Sequence, residues 1–260
     1  MDGTKVGGHQ ASSASVVSVL TALYFGALGP DDVVAVKAHA APAFYAIQYL
    51  RGRLRADDLD ALRAFGGLQA YPSRRKNPRI IDLTTGSMGL GAVAATFNAL
   101  ASRYIADHAP LSAAGGHGGP VAAPHAPTVE PTPRSLRYVI LVGDGELDEG
   151  NVWEAMGEEI VATLDNVLWI VDVNRQSLDR IVADGRPRQL ADMFRATGWH
   201  VIDLRWGSRL RALFARRGGE RLRERLEALP HRDYHRLLRS TAGEVRKALV
   251  TGRDGSLDAG

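Results

Sequence analysis

The chain has 260 residues, of which 45% are hydrophobic, and it carries a formal net charge of +3. This length and composition can bury the core of one large domain. Because the sequence contains no cysteine, disulfides, thiolate metal sites and a cysteine nucleophile are excluded. No run approaches the roughly 18 to 20 apolar residues that cross a bilayer, and no secretory core follows Met1, so we expect a cytoplasmic protein that does not bind membranes.

Helices and loops alternate through the first half of the chain. Apolar periodicity predicts helices at residues 12–28, 42–51, 57–65 and 89–106. A polar loop is expected over residues 71–82, where Arg74, Arg75 and Lys76 could bind a sugar phosphate or simply be solvated. Residues 108–133 are rich in Ala, Gly and Pro, which predicts a flexible insertion.

A strand, a helix and a second strand follow the insertion. Residues 138–142 form an apolar run that ends at a glycine, and residues 167–173 form the next one. Residues 151–164 read as the helix between them, so we predict two parallel strands joined by a crossover. Asp144 and Asn174 would then lie at the carboxyl ends of these strands, where open α/β sheets bind ligands.

The residue types at this predicted edge favour a hard metal ion. Carboxylate, amide and backbone carbonyl oxygens suit magnesium or calcium better than zinc or copper. Magnesium keeps coordination positions for phosphate oxygens, and the glycines beside Asp144 would let backbone N–H groups approach a diphosphate. The alternative is that residues 143–145 form only a strand-to-helix turn.

The rest of the chain is predicted to be mainly helical. We expect a helix over residues 190–197, a strand over 199–204 and an Arg-rich helical tail over 208–250. In residues 220–227 arginines alternate with glutamates, which is typical of a solvated helix. A nucleic-acid surface would interleave basic and aromatic residues, so we expect no nucleic-acid partner.

Several motifs together resemble the thiamine diphosphate superfamily of transketolases and 2-oxoacid dehydrogenases. They fall in the family's order along the chain, at residues 7–9, 37–42, 84–91, 143–146, 164–166 and 174–176. Residues 143–155 look like transketolase, whereas residues 198–202 and 206–209 resemble the homodimeric pyruvate dehydrogenase decarboxylating component. The resemblance implies an α/β fold in which helices cover both faces of a parallel sheet, as one diphosphate-binding domain over residues 1–260.

The resemblance also implies a magnesium and thiamine diphosphate site. The matched magnesium ligands are the side chains of Asp144 and Asn174 and the backbone carbonyl of Gln176. The matched cofactor-binding positions include these three and also His39, Ser87, Met88, Gly89, Gly143, Gly145 and Glu146.

Two histidines match catalytic positions of the family. His9 matches a histidine facing the reacting carbon, and His39 matches one near the diphosphate and substrate. Lys37 stands where the dehydrogenase relatives often have an amide, so it touches the diphosphate or a substrate phosphate, or is only solvated.

The resemblance further implies a divided enzyme. In the superfamily the glutamate that activates the cofactor lies on a second domain, and this sequence ends before such a domain begins. We therefore expect a separately encoded partner that carries the pyrimidine-binding domain and the activating glutamate, in an α2β2 assembly. Glu149 and Glu154 match interface glutamates, or only form structural ion pairs.

The mixed motifs point to a two-carbon transfer. The leading hypothesis is transfer of a glycolyl-type unit from a ketose phosphate to a lipoyl group or acyl carrier protein in natural-product biosynthesis. The alternatives are a split pyruvate or 2-oxoacid dehydrogenase component, a plain split transketolase, and a non-catalytic scaffold.

Overall fold

The computed structural model describes residues 10–114, 136–173, 176–177, 180–181, 186–230, 233, 236–237 and 239–250. The chain divides into two compact units, Met1–Asn174 and Arg175–Gly260. The assignment of residues 1–260 to one domain stays a prediction. No helix among the described residues combines the length and the apolar character that crossing a bilayer requires.

The first unit contains a parallel sheet, as predicted. Its described strands are β1 (Val33–Ala35), β2 (Tyr138–Gly143) and β3 (Val167–Asp172), in the order β1-β2-β3. All residues of β2 are buried, which fits a central strand covered on both faces. The register aligns Gly143 at the end of β2 with Asp172 at the end of β3.

Helices surround this sheet and are shorter and more interrupted than the sequence predicts. In chain order they are α1 (Gln10–Ala14), α2 (Val17–Ala22), α3 (Ala41–Leu50), α4 (Ala56–Asp60), α5 (Leu90–Ala114) and α6 (Gly150–Gly157). The helix predicted over residues 12–28 is broken between α1 and α2 and ends in a π turn, Leu23–Ala27. The helix predicted over 151–164 stops at Gly157, because Glu158 leaves the helical region with ψ of 121°.

The core packs on both sides of β2. Val139 and Leu141 belong to one buried cluster that also contains Leu20 of α2 and Phe44 of α3. Side chains alternate along a strand, so Ile140 points to the opposite face. Helix α5 contacts β2, and its buried residues Ala92, Ala95 and Ala99 are small enough for a close approach. These layers confirm the α/β class.

The boundary of the predicted insertion needs correction. Helix α5 continues to Ala114, so residues 108–114 are helical and do not belong to a flexible segment. Residues 115–135 lie outside the described residues, and the prediction for them stays untested.

The described residues of the second unit include a short hairpin and several helices. Strands β4 (Gln176–Ser177) and β5 (Arg180–Ile181) pair antiparallel. Four of the helices are α7 (Arg186–Ala196), α8 (Ser208–Phe214), α9 (Gly219–Glu227) and α10 (Ala242–Val250). Helix α7 confirms the helix predicted over 190–197.

One prediction for the second unit is wrong. Residues 199–204 form no strand, and Ile202 and Leu204 are 70% and 89% exposed, so no neighbouring strand buries these apolar side chains. The predicted helical tail over residues 208–250 is divided into shorter helices. Gly218 interrupts it with φ of +80°, a conformation that ends helices, and α9 ends before Pro230.

Candidate functional site

Asp144 lies at the carboxyl end of the sheet, as the sequence predicts. It directly follows β2, in the 3-10 turn Asp144–Asp148, and is only 4% exposed. Asp172 ends the neighbouring strand β3. Asn174 and His9 lie outside the described residues, and only the backbone of Gln176 is described, in β4. Their joint role with Asp144 therefore stays a prediction.

Glu146 links the end of β2 to a second predicted cofactor-binding segment. Its buried carboxylate accepts a hydrogen bond from the backbone N–H of Gly143, at 3.2 Å, and the backbone N–H of Gly89 also favours its ionised form. Burial raises the pKa of Glu146 to about 7, even though these backbone N–H groups and the charge of Lys37 favour ionisation. The carboxyl edge of the sheet thus contains a carboxyl group that titrates near neutral pH.

The segment before α5 is fixed by its backbone. Gly89 has φ of +73°, and a Cβ atom there would lie 2.3 Å from Val152 Cγ2. Asn151 Nδ2 donates a hydrogen bond to the carbonyl of Met88 at 3.2 Å. The Met88 side chain is 58% exposed and Ser87 is half-buried. The structure therefore brings the three predicted cofactor residues at 87–89 to the same edge as Glu146.

His39 lies in the 3-10 turn between β1 and α3 and is oriented by an aromatic neighbour. Its Nε2 atom is 3.2 Å from Tyr71 Oη, and the two rings meet edge to face with centroids 5.6 Å apart. The hydroxyl of Ser13 in α1 donates to the backbone carbonyl of His39 at 3.3 Å. Tyr71 thus orients the ring, and Ser13 holds the backbone of the same residue.

Lys37 is buried rather than solvated, so that alternative is wrong. It is 2% exposed, and its Nζ atom lies 2.5 Å from Asp172 Oδ2. The hydroxyl of Ser15, in the turn between α1 and α2, donates to the same oxygen at 2.6 Å. A Cβ atom on Gly143 would lie 3.2 Å from Lys37 Cδ. Glycine at the end of β2 therefore leaves room for the lysine side chain.

Sequence reasoning missed Ser15, Tyr71, Asn151 and Asp172. Asp172 ends an apolar run, which was a usable signal for a residue at the strand edge. The other three carry no local signal, because their contacts depend on the tertiary fold.

The structure bears in part on two further predictions, one for the basic loop residue Arg74 and one for Glu149 and Glu154. Arg74 is exposed, and its guanidinium donates to the carbonyl of Asp82 at 2.7 Å, so it stabilises its own loop. Neither Glu149 nor Glu154 forms an ion pair within the part of the chain that the structure describes. The interface role of these glutamates stays a prediction.

The donors at the sheet edge fit a magnesium diphosphate. Asp144 offers hard carboxylate oxygens, the ligand type that magnesium prefers. Among the described residues, no group of three or more His, Cys, Asp or Glu side chains could hold a metal ion. The predicted ligand set contains one carboxylate and is completed by amide, carbonyl and phosphate oxygens. Gly86 has open space where a Cβ atom would lie, so a ligand can approach its backbone.

Comparison with known proteins supports the predicted family resemblance. Residues 28–215 match the family described as "Transketolase, thiamine diphosphate binding domain". The chain is 31% identical to the "Pyruvate dehydrogenase E1 component" of Mycobacterium tuberculosis, a match covering 97% of this chain and 26% of that protein. The corresponding Escherichia coli K12 protein is 32% identical, over 79% of this chain and 22% of that protein.

A shorter relative is similar as well. The chain is 33% identical to the "6-deoxy-6-sulfo-D-fructose transketolase subunit SqwG" of Clostridium sp. strain MSTE9, with 75% of this chain and 65% of that subunit covered. The chain thus spans about a quarter of the pyruvate dehydrogenase components it matches and somewhat less than two thirds of the transketolase subunit.

Proposed function

Because the chain belongs to the thiamine diphosphate-binding domain family of transketolase, we propose that it binds thiamine diphosphate and magnesium as one subunit of a two-subunit enzyme. The observation that carries this proposal is the buried Asp144 at the carboxyl end of β2, joined through Glu146 to the segment at 87–89. These are the positions at which an α/β sheet binds a ligand.

The magnesium ion would be held by Asp144, Asn174 and the backbone carbonyl of Gln176, with the diphosphate completing its coordination. Gly143, Gly145 and the segment at 87–89 would let the backbone approach the cofactor. When bound, thiamine diphosphate supplies a nucleophilic carbon that adds to a carbonyl and takes up the electrons of the bond that breaks.

The histidines would handle the substrate. His39, oriented by Tyr71, would hydrogen-bond a substrate oxygen or move a proton, and His9 would act in the same way from the amino-terminal segment. General acid–base contributions of this kind are typically worth about 10²- to 10⁴-fold in rate.

The proposed enzyme needs a separately encoded partner. That subunit would bring the pyrimidine-binding domain and the activating glutamate, in an α2β2 assembly. The similarity to a protein named as a transketolase subunit supports this division.

The proposed reaction transfers a glycolyl-type two-carbon unit from a ketose phosphate to a lipoyl group or acyl carrier protein, in a biosynthetic pathway. Carbon–carbon cleavage would release the rest of the sugar as an aldose phosphate, and on a lipoyl disulfide the two electrons it leaves would reduce the sulfur–sulfur bond, giving one thioester and one thiol. A carrier-protein thiol cannot take up these electrons, so it would receive the glycolyl group from the lipoyl thioester by thioester exchange. The relative named for a sulfonated fructose supports a ketose donor. The second candidate is decarboxylation of pyruvate or another 2-oxoacid, which the match to pyruvate dehydrogenase components along 97% of the chain favours.

Cofactor binding can be tested before the donor is known. Asp144→Ala should abolish magnesium-dependent binding of thiamine diphosphate, measured by isothermal titration, because it removes the one described carboxylate ligand. Asp60→Ala, at an exposed position in α4, serves as the control and should bind like the wild type. Undiminished binding by the Asp144 variant would show that the metal site is assigned wrongly.

The donor is tested with the two subunits together. The chain would be coexpressed with candidate partner subunits and supplied with magnesium, thiamine diphosphate and either pyruvate or a ketose phosphate. Mass spectrometry of lipoyl and carrier-protein acceptors reads the product. We expect a glycolyl adduct from the ketose phosphate. An acetyl adduct from pyruvate would establish the second candidate, and no adduct from either donor would contradict both.

A further inference from the structure

We infer that Lys37 is a positioning residue for the magnesium and diphosphate site, acting through Asp172 rather than by touching the ligand. This inference rests on the proposed function. Its basis is the Lys37–Asp172–Ser15 cluster, in which one carboxylate oxygen accepts from both Lys37 Nζ, at 2.5 Å, and Ser15 Oγ, at 2.6 Å.

The lysine side chain crosses the middle strand of the sheet. Lys37 follows β1, whereas Asp172 ends β3, and β2 lies between these strands. The register places Gly143 beside Asp172, and Lys37 Cδ lies 3.2 Å from the point where a Gly143 Cβ would be. The lysine therefore passes directly by the residue that precedes Asp144.

The surroundings of the ion pair fix its geometry. The Lys37 and Asp172 side chains are 1% and 13% exposed, so water cannot readily replace either partner. A buried ammonium that loses its carboxylate is left uncompensated, which makes separation costly. The distance between the segment after β1 and the end of β3, and with it the space beside the end of β2, is thus set by a contact that does not relax easily.

The cluster also joins the segments that carry the predicted site. Lys37 lies two residues before His39, and Asp172 lies two residues before Asn174 in the sequence. Ser15 ties the turn between α1 and α2 to the same oxygen. Residues that hold metal ligands in place from outside the coordination shell commonly affect metal affinity about 10- to 100-fold when replaced.

A direct contact with the diphosphate would predict different behaviour. If Lys37 bound the ligand itself, neutralising Asp172 would free the ammonium, and binding would stay equal or become tighter. If Lys37 acts through Asp172, both Lys37→Met and Asp172→Asn weaken binding. The affinity of the double variant should then be about equal to that of the single variant with the lower affinity, because the two residues act as one unit.

The test is a double-mutant cycle on the full-length chain, alone and in complex with its partner subunit. Isothermal titration measures the Kd of thiamine diphosphate at saturating magnesium and the apparent magnesium affinity at saturating thiamine diphosphate. We expect each single variant to bind about 10- to 100-fold more weakly in both titrations. Lys247→Met removes the same charge from an exposed position and should leave both affinities unchanged.

Thermal unfolding of each ligand-free variant separates positioning from a purely structural role. The inference would be overturned by a variant that has a lower Tm but an unchanged Kd, when the Kd is measured at a temperature well below the thermal unfolding transition. Equal or tighter binding by Asp172→Asn would also overturn it, in favour of direct contact. Asp172→Asn preserves the side-chain shape, so it keeps the test available if Lys37→Met fails to fold. Absence of binding by the wild type, alone and in complex, would overturn the proposed function and this inference with it.

Discussion

The two ends of the parallel sheet each carry a pair between a basic side chain and an aspartate, but the surroundings of the pairs differ. At the carboxyl end, the Lys37 side chain is 1% exposed and that of its partner Asp172 is 13% exposed. At the amino end, Arg137 is 51% exposed and pairs with Asp32. Arg137 also donates to the carbonyl of Ala27 at 2.8 Å. Water can therefore solvate the arginine if its pair breaks, but it has little access to the lysine.

The pKa values of the carboxyl groups at the two ends are also shifted in opposite directions. Burial raises the pKa of Glu146 to about 7. Burial also acts on Asp32, but hydrogen bonds from Arg137 and from the backbone N–H of Gly29 outweigh it and hold its pKa below the ordinary value. The amino end of the sheet stabilises the charge of Asp32. The carboxyl end keeps a carboxyl group in an environment that opposes its ionisation, a property typical of functional sites.

The largest effect is expected from a change that distorts the carboxyl end. Gly89→Ala places a Cβ atom 2.3 Å from Val152 Cγ2 on a backbone with φ of +73°. Overpacking and a left-handed backbone together should lower the free energy of unfolding by about 2 to 4 kcal/mol. Urea unfolding measures this loss.

The matched control for that change is Gly86→Ala, three positions earlier in the same segment. Gly86 has no atom within 4 Å of its Cβ position and no positive φ. Its replacement should therefore change stability by less than about 0.5 kcal/mol. Equal losses in the two variants would mean that the packing of Gly89 on Val152 does not stabilise this end of the sheet.

The sequence predicts the backbone of the site well because the signals are local. An apolar run that ends in Gly143-Asp144 is sufficient to predict β2 and a polar residue at its carboxyl end. The glycine pattern before α5 likewise predicts a close backbone approach, and the contact between Gly89 and Val152 agrees with it.

The contacts that fix the site could not be predicted in the same way. Lys37 and Asp172 are far apart in the sequence, so their pairing follows only from the strand order and register. The same limit explains the strand wrongly predicted over residues 199–204. Its apolar residues are suited to a strand, but a strand needs a partner, and a local apolar pattern does not supply one.

A smaller effect, which depends on pH, is expected from Glu146→Gln in the metal-free protein. The pKa of Glu146 is raised from 4.5 to about 7, so the folded state keeps a proton that the unfolded state has already lost. Wild-type stability should therefore fall as pH rises through this window, by about 3 kcal/mol at most. The glutamine variant cannot ionise at this position, so its stability should not show this decrease.

Urea unfolding at several pH values should show the difference between these proteins. Near pH 4.5 and below, Glu146→Gln and the wild type should have similar stability, and above pH 7 the variant should be the more stable. A difference that does not change between pH 4.5 and 7 would mean that Glu146 ionises as easily in the fold as in the unfolded chain.

The smallest effect is expected from Asp32→Asn at the amino end. The lowered pKa of Asp32 means that its ionised form stabilises the fold above about pH 4, the ordinary value for aspartate, and that this contribution is lost as pH falls further. The variant should thus be slightly less stable than the wild type at pH 7 and equal to it in acid. Because Arg137 is exposed, 1 M salt should reduce the difference. The two carboxyl variants would then depart from the wild type in opposite directions at neutral pH. Opposite changes in stability are expected only if the amino end of the sheet favours the ionised form of Asp32 and the carboxyl end disfavours the ionised form of Glu146.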